Sequence, residues 1–279
     1  GREGVHMNKV SNIIKYAVLA AVTLIFIFPL VWVFYNSFKT NSELFENPWA
    51  LPGSINFENY IYAWKQANIG QYFLNSIIVC VSALFLCLLL STTAAFALTR
   101  LKWKLSNAAM MIFLVGMMIP IHSTLIPLFL MFSKAGIINS HLSLIIPYTT
   151  SGMPIAIFIM TGFLKSFPAE IEESAIIDGA TMRTLFLRIT IPIAKPSIAT
   201  VAIYSFVSMW NELNYALAFL ILQSAMTLPI GLNSFKGQYS TNYVAMFAAV
   251  AITVLPSIII FSIFNKQVIE GMTSGAVKG

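Results

Sequence analysis

Residues 72–99 read YFLNSIIVCVSALFLCLLLSTTAAFALT, 28 positions without one Asp, Glu, Lys, Arg or His. A helix that crosses the hydrocarbon core of a bilayer needs about 20 apolar residues, and this run exceeds that. Five more stretches qualify on the same ground, at about 13–38, 107–132, 142–164, 197–222 and 243–265. The expected fold is therefore all-α and polytopic, a membrane protein of six spans. Pro29, Pro120, Pro127, Pro154 and Pro256 interrupt these runs, which a bundle tolerates where neighbouring groups re-satisfy the freed backbone.

Composition agrees. Hydrophobic residues make up 58% of the 279 positions and charged residues only 9%, against roughly a quarter charged in globular proteins. So few ionisable groups cannot cover a soluble domain of this size, and lipid must cover much of it. The net charge of +6 would suggest nucleic acid in a soluble chain. Here the cations lie between apolar runs, so no nucleic-acid partner is expected. Gly1 to His6 precede Met7 and read as an expression scar, which leaves 7–279 as one membrane domain. Cys80 and Cys87, seven apart in one apolar run, read as small fillers rather than a metal pair or a disulfide.

Basic residues orient the spans. One side carries Lys9, Lys15, Arg100, Lys102, Lys104, Lys165, Arg183, Arg188, Lys195, Lys266 and Lys278, and the other only Lys39, Lys65, Lys134 and Lys236. Both termini are thus expected in the cytoplasm, consistent with six spans. The aromatic-rich stretch 39–71, with Trp49, Tyr60, Tyr62 and Trp64, suits an external loop with a short interfacial helix near 56–67.

Energy-supplying chemistry is missing from the chain. There is no G-x-x-x-x-G-K-[ST] phosphate loop, no H-E-x-x-H and no G-x-S-x-G. Ion-coupled carriers keep several ionisable groups in the membrane, but Glu212 is the only acid and His122 the only histidine within the expected spans. Neither a catalytic residue nor a metal site is expected. The 13 methionines read as adaptable bundle packing.

Residues 165–196 read KSFPAEIEESAIIDGATMRTLFLRITIPIAKP. Pro168 suits a first helical turn with Ser166 as a candidate cap. Glu170, Glu172 and Glu173 then place negative charge at the positive end of the helix dipole. Gly179 stops this helix, and Thr181 starts a basic one with Arg183, Arg188 and an apolar face of Leu185, Phe186 and Ile189. Pro192 and Pro196 are expected to end it and to redirect the chain into the fifth span. Such a helix pair suits a groove on a partner; the alternative is an amphipathic pair lying on the lipid, where three glutamates would face an anionic leaflet.

Glu173-Ser174-Ala175, Gly179, Ile189, Ile191 and Pro192 resemble the E-A-A-x3-G-x9-I-x-L-P loop of ABC importer permeases, with Ser174 and Ile191 as small departures. Ser37-Phe38-Lys39, Leu51-Pro52, Phe57-Glu58-Asn59-Tyr60, Asn75-Ser76, Ile126-Pro127-Leu128, Gly136, Trp210-Asn211-Glu212 and the tail Gly271–Gly279 resemble the carbohydrate branch, the maltose and multiple-sugar type. The resemblance implies the type I importer permease fold in a bacterial or archaeal plasma membrane. It implies a coupling helix that sits in a cleft of an ATP-binding subunit. Glu173 is then the charged anchor, Ser174 and Ala175 allow close approach, and Gly179 permits the turn, with Asp178, Arg183, Ile189 and Pro192 completing the coupling set. It further implies two ATP-binding cassette subunits that hold ATP and Mg, a second permease subunit and an extracytoplasmic sugar-binding protein. This chain itself is expected to bind no cofactor.

In the expected fifth span, Trp210, Asn211, Glu212, Asn214 and Tyr215 lie together. Aromatic faces, amides and a carboxylate suit a sugar pathway or gate; the same groups also serve as polar glue between helices. In two-permease importers of this family, sugar contacts can come mainly from the other subunit. His122 reads as a satisfied polar spot beside Pro120. The Gly- and Ser-containing tail from Gly271 is expected to be extended and to reach toward the ATPase. Three competing readings are a permease for peptides or amino acids, a six-span ion-coupled carrier and a non-transporting membrane scaffold.

Overall fold

The computed structural model describes residues 2–101, 103–168, 170–235 and 242–276, with side chains from 12 to 264 within those ranges. Lys102, Lys236 and the last three residues of the tail lie outside the described residues, as do the side chains of the 1–6 segment and of 266–276. Among the described residues every regular element is helical. They are α1 (Arg2–Asn36), α2 (Asn41–Glu46), α3 (Glu58–Ile61, running on as a π turn over Tyr62–Gln66), α4 (Ile69–Arg100) and α5 (Ser106–Met118). A 3-10 turn over Ile121–Thr124 leads into α6 (Leu125–Lys134), followed by α7 (Leu142–Ser166) and α8 (Glu170–Ile177). Next, α9 (Met182–Thr184) passes through a π turn over Leu185–Thr190 into α10 (Ile191–Trp210). The chain ends with α11 (Asn214–Phe219), α12 (Leu228–Ser234) and α13 (Tyr243–Ala276).

Five helical stretches are long and apolar enough to cross a membrane: Asn12–Asn36, Ile69–Arg100, Leu142–Ser166, Met182–Trp210 and Tyr243–Phe264. The pair α5 and α6 makes a sixth if counted as one span, but the two helices meet at 91°. The expected single helix over 107–132 is therefore broken. The break falls where Ile119 and Pro120 turn extended, with ψ of 116° and 123°, because a residue before proline is pushed out of the helical region. Hydroxyls take up the carbonyls this frees: Ser123 donates to the Pro120 oxygen at 2.7 Å and Thr124 to that of Ile121 at 2.7 Å. Pro127 breaks nothing, since it sits in the first turn of α6, where its missing N–H is not needed.

The fifth span differs from expectation at both ends. Helix runs unbroken from Met182 to Trp210, so Pro192 and Pro196 neither end the basic helix nor redirect the chain. A helical proline loses one backbone bond and clashes with the carbonyl four residues back. For Pro192 that carbonyl is Arg188, which lies inside the π turn, where the wider ring displaces it. At the other end the helix stops at Asn211, with φ −96° and ψ 2°, and the expected continuation to 222 is the separate, short α11. The tail is corrected as well: α13 stays helical through Ala276 instead of becoming extended. Elongating an existing helix adds one bond per residue with no new nucleation, which outweighs Gly271 and Gly275.

Seven hydroxyls inside the helices are satisfied by the helix that carries them. Thr23, Thr93, Thr99, Thr150, Thr200, Thr253 and Ser262 each donate to the carbonyl four residues back, at 2.7–3.0 Å. These seven polar groups thus enter an apolar environment with their donors paired.

The chain divides into two compact units, residues 1–70 with 232–255, and 71–231 with 256–279. In the first, the loop after α1 is held by polar ties. The Asn59 amide donates to the Ser37 and Lys39 carbonyls at 2.8 Å each, and Lys39 Nζ donates to the Asn47 carbonyl at 3.0 Å. Thr40 and Glu43 form a capping box on α2, and the Thr40 backbone N–H holds the Glu43 carboxyl below its ordinary range. The helix expected near 56–67 is present as α3 and its π turn. Trp32 packs against Trp49 and Phe247, with ring centroids 5.9 and 5.3 Å away.

In the second unit, α4, α7 and α10 meet around Gly152. A Cβ at Gly152 would sit 3.1 Å from Cys87 Sγ and 3.4 Å from Met209 Cε. Cys80 and Cys87 are buried free thiols, matching their reading as fillers. The Thr149 hydroxyl reaches across to the Ala83 carbonyl at 3.3 Å, and Thr92 to Met160 Sδ at 3.2 Å. Helix α5 lies on α7 where Gly116 faces the Pro154 ring.

Two glycines of α7 should respond in opposite directions. Gly152→Val overfills the crossing and is expected to lower stability by about 1–3 kcal/mol. Gly162 has open space where a Cβ would go, so Gly162→Ala should raise stability by up to about 1 kcal/mol through helix propensity. Thermal unfolding of the purified, detergent-solubilised chain checks both; equal effects would sink the packing argument.

Candidate functional site

The loop between α7 and α10 is short and tightly made. Ser166, considered as a cap for α8, instead closes α7, its hydroxyl donating back to the Phe163 carbonyl at 2.7 Å, and Pro168 lies ahead of α8 rather than in its first turn. Helix α8 ends in a Schellman arrangement: the Ala180 N–H bonds to the Ala175 carbonyl at 2.9 Å and the Gly179 N–H to that of Ile176 at 3.0 Å. Gly179 has φ +87°, a conformation in which a Cβ is strained. Thr181 then caps α9, accepting from the Thr184 N–H at 3.3 Å. The acidic-then-basic helix pair broken at Gly179 is thus present as geometry.

Its side chains divide into an outward and an inward set. Glu173, Ser174, Asp178, Arg183 and Pro192 are exposed, Ala175 and Ile189 are half-buried, and Ile177 is 85% exposed at the tip of α8. Glu172, by contrast, is buried. Its Oε2 lies 2.7 Å from Nε of Arg100, the last residue of α4, with side-chain exposures of 9% and 12%. Arg100 Nη2 also donates to the Leu164 carbonyl at 3.0 Å. The buried Thr190 hydroxyl stands 3.5 Å from Glu172 Oε1. Leu185, Phe186 and Ile189 turn toward the bundle, and the Phe186 ring packs on Phe96 with centroids 5.2 Å apart. Sequence reasoning missed Glu172 as distinct and took Arg100 only for an orientation signal. Helical spacing puts 172 and 173 on adjacent but different faces, without saying which of the two turns inward.

At the end of α10 the five residues expected to form one cluster go separate ways. Trp210 is 1% exposed, its ring stacked on Phe206 at 5.4 Å and edge-on to Phe73 at 5.7 Å, so it offers no free ring face in this chain. Asn211 is exposed, but its amide donates back to the Val207 carbonyl at 2.8 Å. The Glu212 carboxylate reaches over the start of α11 and accepts from the N–H groups of Asn214 at 2.8 Å and Tyr215 at 3.0 Å. It also accepts from the Tyr148 hydroxyl of α7 at 2.9 Å. Tyr215 donates to the Ile121 carbonyl at 2.6 Å and meets the Thr124 hydroxyl. The side chain of Asn214 is exposed.

Glu212 and Tyr215 therefore join two helix breaks, the one after Trp210 and the one at Pro120. Tyr148 is the partner that sequence reasoning did not find. His122 sits exposed on the 3-10 turn at the Pro120 break. Beyond α11 the Asn139 side chain accepts from the Ile221 and Leu222 N–H groups at 2.5 and 2.8 Å, fixing the chain as it leaves that region. Among the described residues no cluster of His, Cys, Asp or Glu could hold a metal.

A family described as the binding-protein-dependent transport system inner membrane component matches residues 87–273. Among curated proteins, the diacetylchitobiose uptake system permease protein NgcG of Streptomyces coelicolor is 34% identical over 95% of this chain and 88% of its own length. The melibiose/raffinose/stachyose import permease protein MelC of Bacillus subtilis is 34% identical over 90% of this chain and 91% of its own. A crystal structure of a bacterial ABC transporter that imports the acidic polysaccharide alginate superposes with a TM-score of 0.81 at 20% identity, covering 92% of this chain and 96% of that one. With α5 to α12, both helix breaks and the loop at Gly179 all inside the matched span, the chain belongs to the binding-protein-dependent family of ABC importer inner-membrane permeases.

Proposed function

We propose that this chain is one permease subunit of an ATP-driven sugar importer, in which the 165–196 loop converts closure of separate ATP-hydrolysing subunits into alternating access. The observation that carries it is the rigid, Gly179-centred helix pair, with Glu173 and Ile177 exposed at its surface and Glu172 locked inward. An exposed apolar tip beside a free carboxylate suits a protein groove. Glu173 is the charged anchor, Ser174 and Ala175 set the close approach, and Asp178, Arg183, Ile189 and Pro192 frame the turn. The names of the relatives, which handle several oligosaccharides, support a carbohydrate as cargo.

The remaining assembly follows from the same reading. Two ATP-binding cassette subunits hold ATP and Mg, an extracytoplasmic sugar-binding protein delivers cargo, and a second permease subunit completes the pathway. The bent pair α5–α6 counts as the third of six spans, with both termini cytoplasmic. Trp210, Asn211, Glu212, Asn214 and Tyr215 mark where the pathway wall changes shape: Trp210 packs the wall, Glu212 and Tyr215 tie two broken helices together, and Asn211 and Asn214 face outward. A gate built on those ties fits this geometry better than direct stacking of sugar on Trp210.

Gly179→Pro and Glu173→Lys are each expected to abolish the stimulation of ATP hydrolysis by cargo-loaded binding protein in the reconstituted complex, while membrane insertion persists. Wild-type stimulation in both would remove the coupling role from the loop. For the second site, Glu212→Ala removes the carboxylate over α11 and should cost about 0.5–2 kcal/mol, the usual range for a lost cap. Tyr148→Phe removes only one of its partners and should cost less. Uptake into vesicles, read beside size-exclusion profiles, decides between roles: lost uptake with an intact complex supports a gate, and failed assembly leaves Glu212 as interhelical glue.

A further inference from the structure

The loop is joined through the chain to α7 and α10, and those two helices are the obvious recipients of any force applied to it. The buried contacts, however, lead to α4. Arg100 closes α4, where a cation also suits the helix dipole. Its guanidinium spans from Glu172 on α8 at 2.7 Å to the Leu164 carbonyl at the end of α7 at 3.0 Å. A further contact joins α4 to the other half of the loop, where the Phe96 ring packs against Phe186 in the π turn after α9. A cation kept only for orientation reaches toward headgroups, yet this side chain is 12% exposed. Removing either member of the pair leaves the other charge buried and uncompensated.

Resting on the coupling reading above, we propose that Arg100 and Glu172 form a positioning latch that makes α8 move as one body with the end of α4. Docking force at Glu173 then reaches a span to which the loop is not directly joined. Glu172 and Glu173, adjacent in sequence, divide the work: one faces the bundle and the other faces the partner. Neither latch residue contacts cargo or nucleotide; both act by holding α8 in place.

Pairs of spin labels on the purified transporter with its ATP-hydrolysing subunits test this, comparing the nucleotide-free complex with one trapped by Mg, ATP and vanadate. Labels at Glu170 and Leu222, both exposed, report movement of α8 within the unit. Labels at Glu170 and Leu101 report the latch. The expected result is a shift of on the order of 2 Å or more in the first distance, with the second unchanged and narrow. In Glu172→Gln the second distance should broaden, and the exchanged pair Arg100→Glu with Glu172→Arg should restore it. A second distance that shifts with the first in the native chain overturns the latch, as does one that stays narrow in Glu172→Gln. Should that variant fail to assemble, the native pair of distances still decides. No shift in the first distance overturns the coupling reading itself, and the latch with it.

Discussion

Within hydrocarbon a backbone N–H or C=O without a partner costs several kcal/mol, and this chain's shape follows from where it meets that demand. Continuous helix meets it over Ile69–Arg100, Leu142–Ser166 and Met182–Trp210. Helix can stop only where some other group takes over, and the two breaks within apolar sequence show how that is done. At Pro120 the hydroxyls of Ser123 and Thr124 bind local carbonyls, while Tyr215 reaches the Ile121 carbonyl from another helix. At Asn211 the Glu212 carboxylate covers the first N–H groups of α11. The single acid in the expected spans is therefore placed where a helix start would otherwise stand bare. Because Tyr215 and Glu212 are three residues apart, the two breaks share one set of ties.

The loop after α7 works under the opposite condition. It has water on one side, so its helices may be short and may end abruptly, provided each end closes on itself. The Schellman bonds at Ala180 and Gly179 and the Thr181 cap do this within three consecutive residues. With so little slack between α8 and α9, the pair resists bending at its own turn. Such a piece transmits displacement, where a longer loop would absorb it.

Features decided by the chemistry of one residue were legible in the sequence. Gly179 announced its turn because few other residues adopt φ near +87°, and runs such as 72–99 announced spans by length alone. Features decided by competition were not. Pro192 and Pro196 read as stops, but the helix runs through both; for Pro192 the carbonyl four residues back lies in a π turn, and periodicity carries no sign of a π turn. Pro120 was visible as an interruption while its 91° consequence was not, since Pro127 is the same residue type in a harmless position. Glu212 was legible as an exceptional acid, but its partner Tyr148 comes from a different helix. Glu170, Glu172 and Glu173 looked alike, because eight residues of helix give no way to decide which face meets Arg100.

That last distinction bears on why the acids are clustered at all. Three carboxylates in the first turn of α8 exceed what the helix dipole needs, since one or two satisfy it. Their fates separate in the fold: Glu172 is buried against a guanidinium, and Glu173 stays in water beside the exposed Ile177. A helix held only from inside would have nothing to offer a partner, and one held only from outside would be pulled away from the bundle under load. Opposed anchoring on two faces of one turn lets a short helix carry load in both directions. In the proposed coupling role, a separate ATPase that alternately closes and opens requires this of the element it grips, whereas a loop lying passively on lipid does not.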